Sequence, residues 1–152
     1  MKKMTVVMML VLAGSVLLAA KPPLDILAQI TKDKYPDADV VTVFDSTQIK
    51  LEADGSNVRE HHLLVKILTD AGKNEYSNYR DGYMATYDKL TIKFARVIGP
   101  DGKVTDVLAK DITDVPMPCF EGEPFILPNV RLVTATFHEL EVGSAIEVGV
   151  ED

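Results

Sequence analysis

From Val40 onward the apolar residues recur at every second position. Val41 and Val43, then Ile49, Leu51 and Ala53, alternate with polar neighbours, and Asp54-Gly55 is a strong hairpin signal into the next run. There Leu63, Val65 and Ile67 fall on one side of the strand, while His62, Leu64, Lys66 and Leu68 fall on the other. Asp70-Ala71-Gly72-Lys73 predicts a further turn, and residues 74–80 a strand with Tyr76 and Asn78 on one side. Leu90, Ile92 and Phe94 alternate cleanly, but residues 95–98 break the phase, which predicts a bulge. Pro100-Asp101-Gly102-Lys103 turns the chain back into a pairing run at residues 104–108. Residues 111–128, with Pro116, Pro118, Pro124 and Pro128, read as irregular. Val133, Ala135 and Phe137 alternate again, Val142-Gly143 turns, and residues 144–151 read as a last strand.

Before Val40 the period is different. Leu24, Leu27, Ala28 and Ile30 keep helical spacing after Pro22-Pro23, and Tyr35-Pro36 closes the pattern. The prediction is one short amphipathic helix packed on the outside of an antiparallel β-sandwich: an all-β fold, with residues 21–36 as helix and lead-in and residues 37–152 as the β-module. A chain ending within a strand predicts an unpaired edge or a missing next strand, so the module is expected to be the front part of something longer.

Residues 1–20 have another character. Lys2 and Lys3 precede an apolar run over residues 4–18, which closes on Ala19-Ala20. These are the parts of a secretory signal peptide, and the run is short for a spanning helix, which needs roughly 20 apolar residues. An uncleaved anchor is the alternative; Leu18 stands where a cleavage site prefers a small residue. No Cys follows the run, which excludes a lipoprotein anchor. The expected location is periplasmic or extracellular, with no membrane contact beyond the signal segment.

The 152 residues hold enough apolar side chains, 47%, for one core. Net charge is −7, and loss of Lys2 and Lys3 with the signal makes it −9. Such a surface repels phosphate backbones and anionic lipid, which argues against nucleic acid as a partner. A single Cys cannot form an internal disulfide.

Three His and one Cys bound the chemistry. Glu60-His61-His62 would need both imidazoles on one ion to read as a metal site, yet neighbours in a strand point to opposite faces. The pattern predicts the hydrated end of a strand at a sheet rim. Cys119 lies among Pro118, Gly122 and Pro124, an extended context without the helix N-terminus that would activate a thiol. A thiol hydrolase using Cys119 with His138 or His61 is the enzymatic alternative. No calcium loop, phosphate loop or Gly-x-Ser-x-Gly elbow occurs, and no cofactor or metal is expected. Tyr76, Tyr79, Tyr83 and Tyr87 crowd one segment; loops carrying Tyr83, Tyr87, Phe120 and Phe125 are the candidate ligand-facing surface, as in a self-standing glycan- or peptide-binding protein.

Taken in order, Tyr35-Pro36-Asp37-Ala38-Asp39-Val40-Val41, Asp54-Gly55, Val65-Lys66-Ile67-Leu68-Thr69-Asp70-Ala71-Gly72, the stretch 95–104 and the stretch 140–147 resemble the bacterial domain of unknown function that precedes transglutaminase-like domains in exported proteins. The resemblance implies a sandwich-like module with no catalytic residues of its own. It also implies that the Cys-His-Asp set belongs to a downstream domain, for which no counterpart lies within these residues. Cys119 falls in a variable Pro-rich loop and matches no family active-site motif. The expected function is a non-catalytic accessory or binding module. Its partner would be a downstream transglutaminase-like domain, or an extracytoplasmic polymer or protein.

Overall fold

The computed structural model describes residues 22–117 and 129–152. They form eight strands: β1 (Val40–Leu51), β2 (Asn57–Ile67), β3 (Asn78–Met84), β4 (Thr91–Ile98), β5 (Val104–Asp106), β6 (Ile112–Pro116), β7 (Val130–Thr136) and β8 (Ala145–Glu151). Two short helices, α1 (Leu24–Ala28) and α2 (Asp70–Glu75), and a 3₁₀ turn at Ala109–Asp111 complete the set. A large sheet runs β1-β2-β8-β4-β5 and a small one β3-β7-β6, with every pairing antiparallel. The all-β fold and the outer helix are as the pattern predicts.

The alternating residues explain the layers. Val65, Ile67, Val97, Ile146 and Val148 of the large sheet meet Val133 and Ala135 of the small sheet in the main core. On the opposite face of the large sheet, Leu27 of α1 packs with Leu64, Ile98 and Ala145. Where α1 lies against it, that face forms a second packed layer. No helix among the described residues is long and apolar enough to cross a membrane.

Several local expectations are corrected. The stretch Asp70-Ala71-Gly72-Lys73 opens a helix: Thr69 caps it, its Oγ1 accepting from Gly72 N at 3.2 Å and donating to Asp39 Oδ1 at 2.6 Å. The next strand therefore starts at Asn78, and Tyr76 is the C-cap of α2. The stretch read as irregular contains β6, an edge strand paired only with β7, which tolerates Pro116 at its end. The bulge falls between Ile92 and Phe94, earlier than the phase break suggests, and turns Phe94 outward. Lastly, β8 is no edge. It lies between β2 and β4 and is laddered on both sides, so the expected unpaired terminal strand is not found. The turn predictions hold at Gly55, Gly102 and Gly143, all with φ between 81° and 93°.

Candidate functional site

His61 and His62 leave β2 on opposite faces, as strand geometry requires. His62 points outward, away from the small sheet, and is not at a hydrated rim. Its Nε2 lies 2.9 Å from Glu147 Oε1, and Arg96 Nε donates to Glu147 Oε2 at 2.7 Å. The imidazole sits edge-on between Phe44 and Phe94, with ring centroids 4.5 and 5.4 Å away. Arg96 in turn lies over Phe94 at 5.4 Å. The absence of a side chain at Gly149 makes room for this layer: a Cβ there would stand 2.3 Å from Phe94 Cε1. Glu147 is only 1% exposed. A buried carboxylate persists when its oxygens are paired, and both of these are.

His61 points inward, toward the small sheet. Its Nε2 is 2.7 Å from Asp45 Oδ1 and its Nδ1 is 3.4 Å from the Tyr79 hydroxyl, which donates to Asp81 Oδ2 at 3.2 Å. Arg59, two residues earlier on β2, forks onto Asp152 through Nε and Nη2, each at 2.6 Å, and reaches Asp81 at 3.7 Å. These contacts tie β1 and β2 of the large sheet to β3 of the small one. Burial, reinforced by Asp81, pushes the Tyr79 phenol far above its ordinary pKa, so Tyr79 acts as a hydrogen-bond donor and not as an anion.

Tyr83 shares the face of β3 that carries Tyr79 and Asp81. Its hydroxyl donates to Asp114 Oδ2 at 2.8 Å, and Arg131 binds the same residue, Nε to Oδ1 at 2.8 Å and Nη2 to the backbone O at 2.9 Å. The hydrogen bond to Asp114 raises the Tyr83 pKa and the Arg131 pKa alike. Tyr83 packs in part against the main core, and the Arg131 and Asp114 side chains are 33% and 42% exposed. Tyr87 follows in the turn after β3 and is 80% exposed. Of the four candidate ligand-facing aromatics, the structure thus places Tyr83 and Tyr87 at one end of the sandwich; Phe120 and Phe125 lie outside the described residues, as does Cys119.

His138 is elsewhere. It follows β7 and its Nε2 meets Asp111 Oδ1 at 3.0 Å, beside the start of β6. At the other ends of those strands Met117 N donates to Val130 O. The three imidazoles therefore occupy three separate environments, each facing a different carboxylate. Among the described residues no group of three His, Cys, Asp or Glu side chains could hold a metal ion.

The sequence reading missed Glu147 and Arg96. The signal available was a lone acid within the apolar strand of residues 145–150, flanked at positions of the same face by Ala145 and Gly149.

A two-sheet sandwich is a non-enzymatic architecture as readily as an enzymatic one. Residues 53–152 match the domain of unknown function DUF3857, described as having a solved structure, and the chain belongs to that family. The fold is similar to a crystal structure from Parabacteroides distasonis of a protein described as a candidate protease: TM-score 0.67 at 18% identity, covering 74% of this chain and 22% of that one. This chain thus spans about a fifth of that protein's length. No curated protein matches it.

Proposed function

We propose that this chain is a non-catalytic exported β-module, an N-terminal accessory or binding domain of a transglutaminase-like protein, which uses the Tyr83 end of the sandwich to engage a partner domain or an extracytoplasmic polymer. The observation that carries the reading is the Tyr83–Asp114–Arg131 group. It fixes a part-exposed phenol and guanidinium by hydrogen bonds at the strand ends, where the following turn carries exposed Tyr87. Such groups recognise ligands by stacking and hydrogen bonding. One further fact supports it: the structural neighbour is a much longer protein, as expected for a module.

Iodoacetamide kinetics near neutral pH separate the binding module from the thiol hydrolase. The module predicts Cys119 alkylation no faster than that of a free thiol with an ordinary pKa near 8.5. Rapid labelling, together with a hydrolytic activity abolished by Cys119→Ser, overturns it. Co-sedimentation with insoluble cell-wall polymer tests the binding arm, with Tyr83→Ala expected to weaken it.

A further inference from the structure

A cleft lies between the β4–β5 turn and the connection from β7 to β8, away from the Tyr83 group. Its volume is about 590 Å³, within the range of small-ligand sites. Buried Val97 and Leu140 are among its lining residues. A smaller pocket of about 100 Å³ shares Val97, Thr105, His138 and Glu139 with it and continues onto Val107, Leu108 and Phe137, so the cleft has an apolar annex. Leu108 is 58% exposed there.

Both walls are held in place by their own hydrogen bonds. On one side Gly99 N donates to Lys103 O at 2.8 Å, Gly102 N to Gly99 O at 2.9 Å, and Lys103 N to Asp101 Oδ1 at 2.9 Å. On the other, Ser144 N donates to Glu141 O at 3.0 Å and buried Ser144 Oγ accepts from Glu141 N at 3.2 Å. A wall that is already ordered loses little entropy on binding.

The charges on those walls divide into committed and uncommitted groups. Asp101 is used by its turn, and Asp111 by His138. The carboxylates of Glu139 and Glu141 on one wall, and the ammonium of Lys103 on the other, make no hydrogen bond or ion pair among the described residues. The cleft therefore carries two uncommitted carboxylates and one uncommitted ammonium on its walls, and its mainly apolar side pocket adds a third uncommitted carboxylate, Asp106.

We propose that this cleft binds a short peptide that carries an ammonium group, an aliphatic side chain and a free carboxylate. The ammonium is received by Glu139 and Glu141, the carboxylate by Lys103, and the aliphatic side chain by the annex at Leu108 and Phe137. Charge complementarity selects against acidic peptides by repulsion at the glutamates. The cleft shares no residue with the Tyr83 group, so either site can fail its own test independently.

Amide chemical shifts of the isotope-labelled protein, titrated with N-acetyl-Leu-Lys and N-acetyl-Leu-Glu, test this. Saturable shifts confined to residues 97–108 and 136–144 are expected with the first peptide. With the second they should be weaker by about tenfold or more. The surface double variant Glu139→Gln with Glu141→Gln should abolish that preference, and Glu75→Gln, on exposed α2, should leave it intact. Absence of saturable shifts at these residues, or equal response to the two peptides, overturns the proposal.

Discussion

Arg96 on β4 and Glu147 on β8 are cross-strand partners in the large sheet, and Arg96 Nε donates to Glu147 Oε2 over 2.7 Å with the two side chains only 9% and 2% exposed. An ion pair so placed contributes little net stability relative to apolar residues of the same size, since desolvation opposes attraction. Removing one member is different. The other then stays buried with its best partner gone. Glu147→Ala should therefore lower unfolding stability by about 3–5 kcal/mol, read from urea denaturation. Glu147→Gln, which keeps one acceptor, should lose less. A loss within ~1 kcal/mol for the alanine variant would mean the pair behaves like a surface pair and that the layer is open to water.

Gly72 sets two effects against each other. In an isolated helix, Gly72→Ala would stabilise by about 1 kcal/mol. Here a Cβ would stand 2.4 Å from Asp39 O and 2.6 Å from Val40 Cγ1, and Asp39 O already accepts from Leu68 N. The obstacle is backbone and cannot swing aside. The variant should be destabilised on balance, by about 1–3 kcal/mol as in other overpacked sites. Thermal unfolding decides; a rise in melting temperature would show that α2 can shift away from β1.

Tyr79 makes the alkaline limb of stability predictable in sign. Its folded pKa lies above the unfolded value of 10.0, chiefly through burial and then Asp81. The folded state thus holds a proton that the unfolded chain loses first. The contribution is complete below pH 10 and falls away as pH climbs toward the folded pKa. Denaturation midpoints measured from pH 8 upward should decline past 10, and Tyr79→Phe should flatten that decline. An unchanged slope in the variant would assign the decline to other groups.

Leu27 tests whether α1 is part of the fold or an appendage. It is 4% exposed against Leu64, Ile98 and Ala145. Leu27→Ala should lower stability by about 2–5 kcal/mol, as for other buried leucines. Exposed Ile26 of the same helix, 50% accessible, should tolerate alanine far better. Equal effects in chemical denaturation would mean that the helix does not pack as described.

The alternation of residues 63–67 and of residues 145–150 was enough to specify strands, their inner faces and the hairpin at Gly55, because a two-residue period and a left-handed glycine are local properties. The opposite directions of His61 and His62 were legible for the same reason. Tyr83 and Tyr87 stand out in the sequence only as candidates, and the partners Asp114 and Arg131 that hold Tyr83 arrive from β6 and β7, which local pattern does not show. The helix at Asp70–Glu75 escaped because a turn and a capped helix start share the same residues, and the contact of Thr69 with Asp39 is long-range.

What the chain dictated alone was therefore the all-β class, the acidic surface and the side of the sheet on which each residue stands. Tertiary structure decided the strand order that puts β8 between β2 and β4. It also decided that Glu147 meets both His62 and Arg96 away from water, within a layer that includes Phe44 and Phe94, and that two turns enclose a cleft with free charges. Those outcomes depend on which distant strands become neighbours, and a periodic pattern carries the orientation of a side chain but not the identity of what lies across from it.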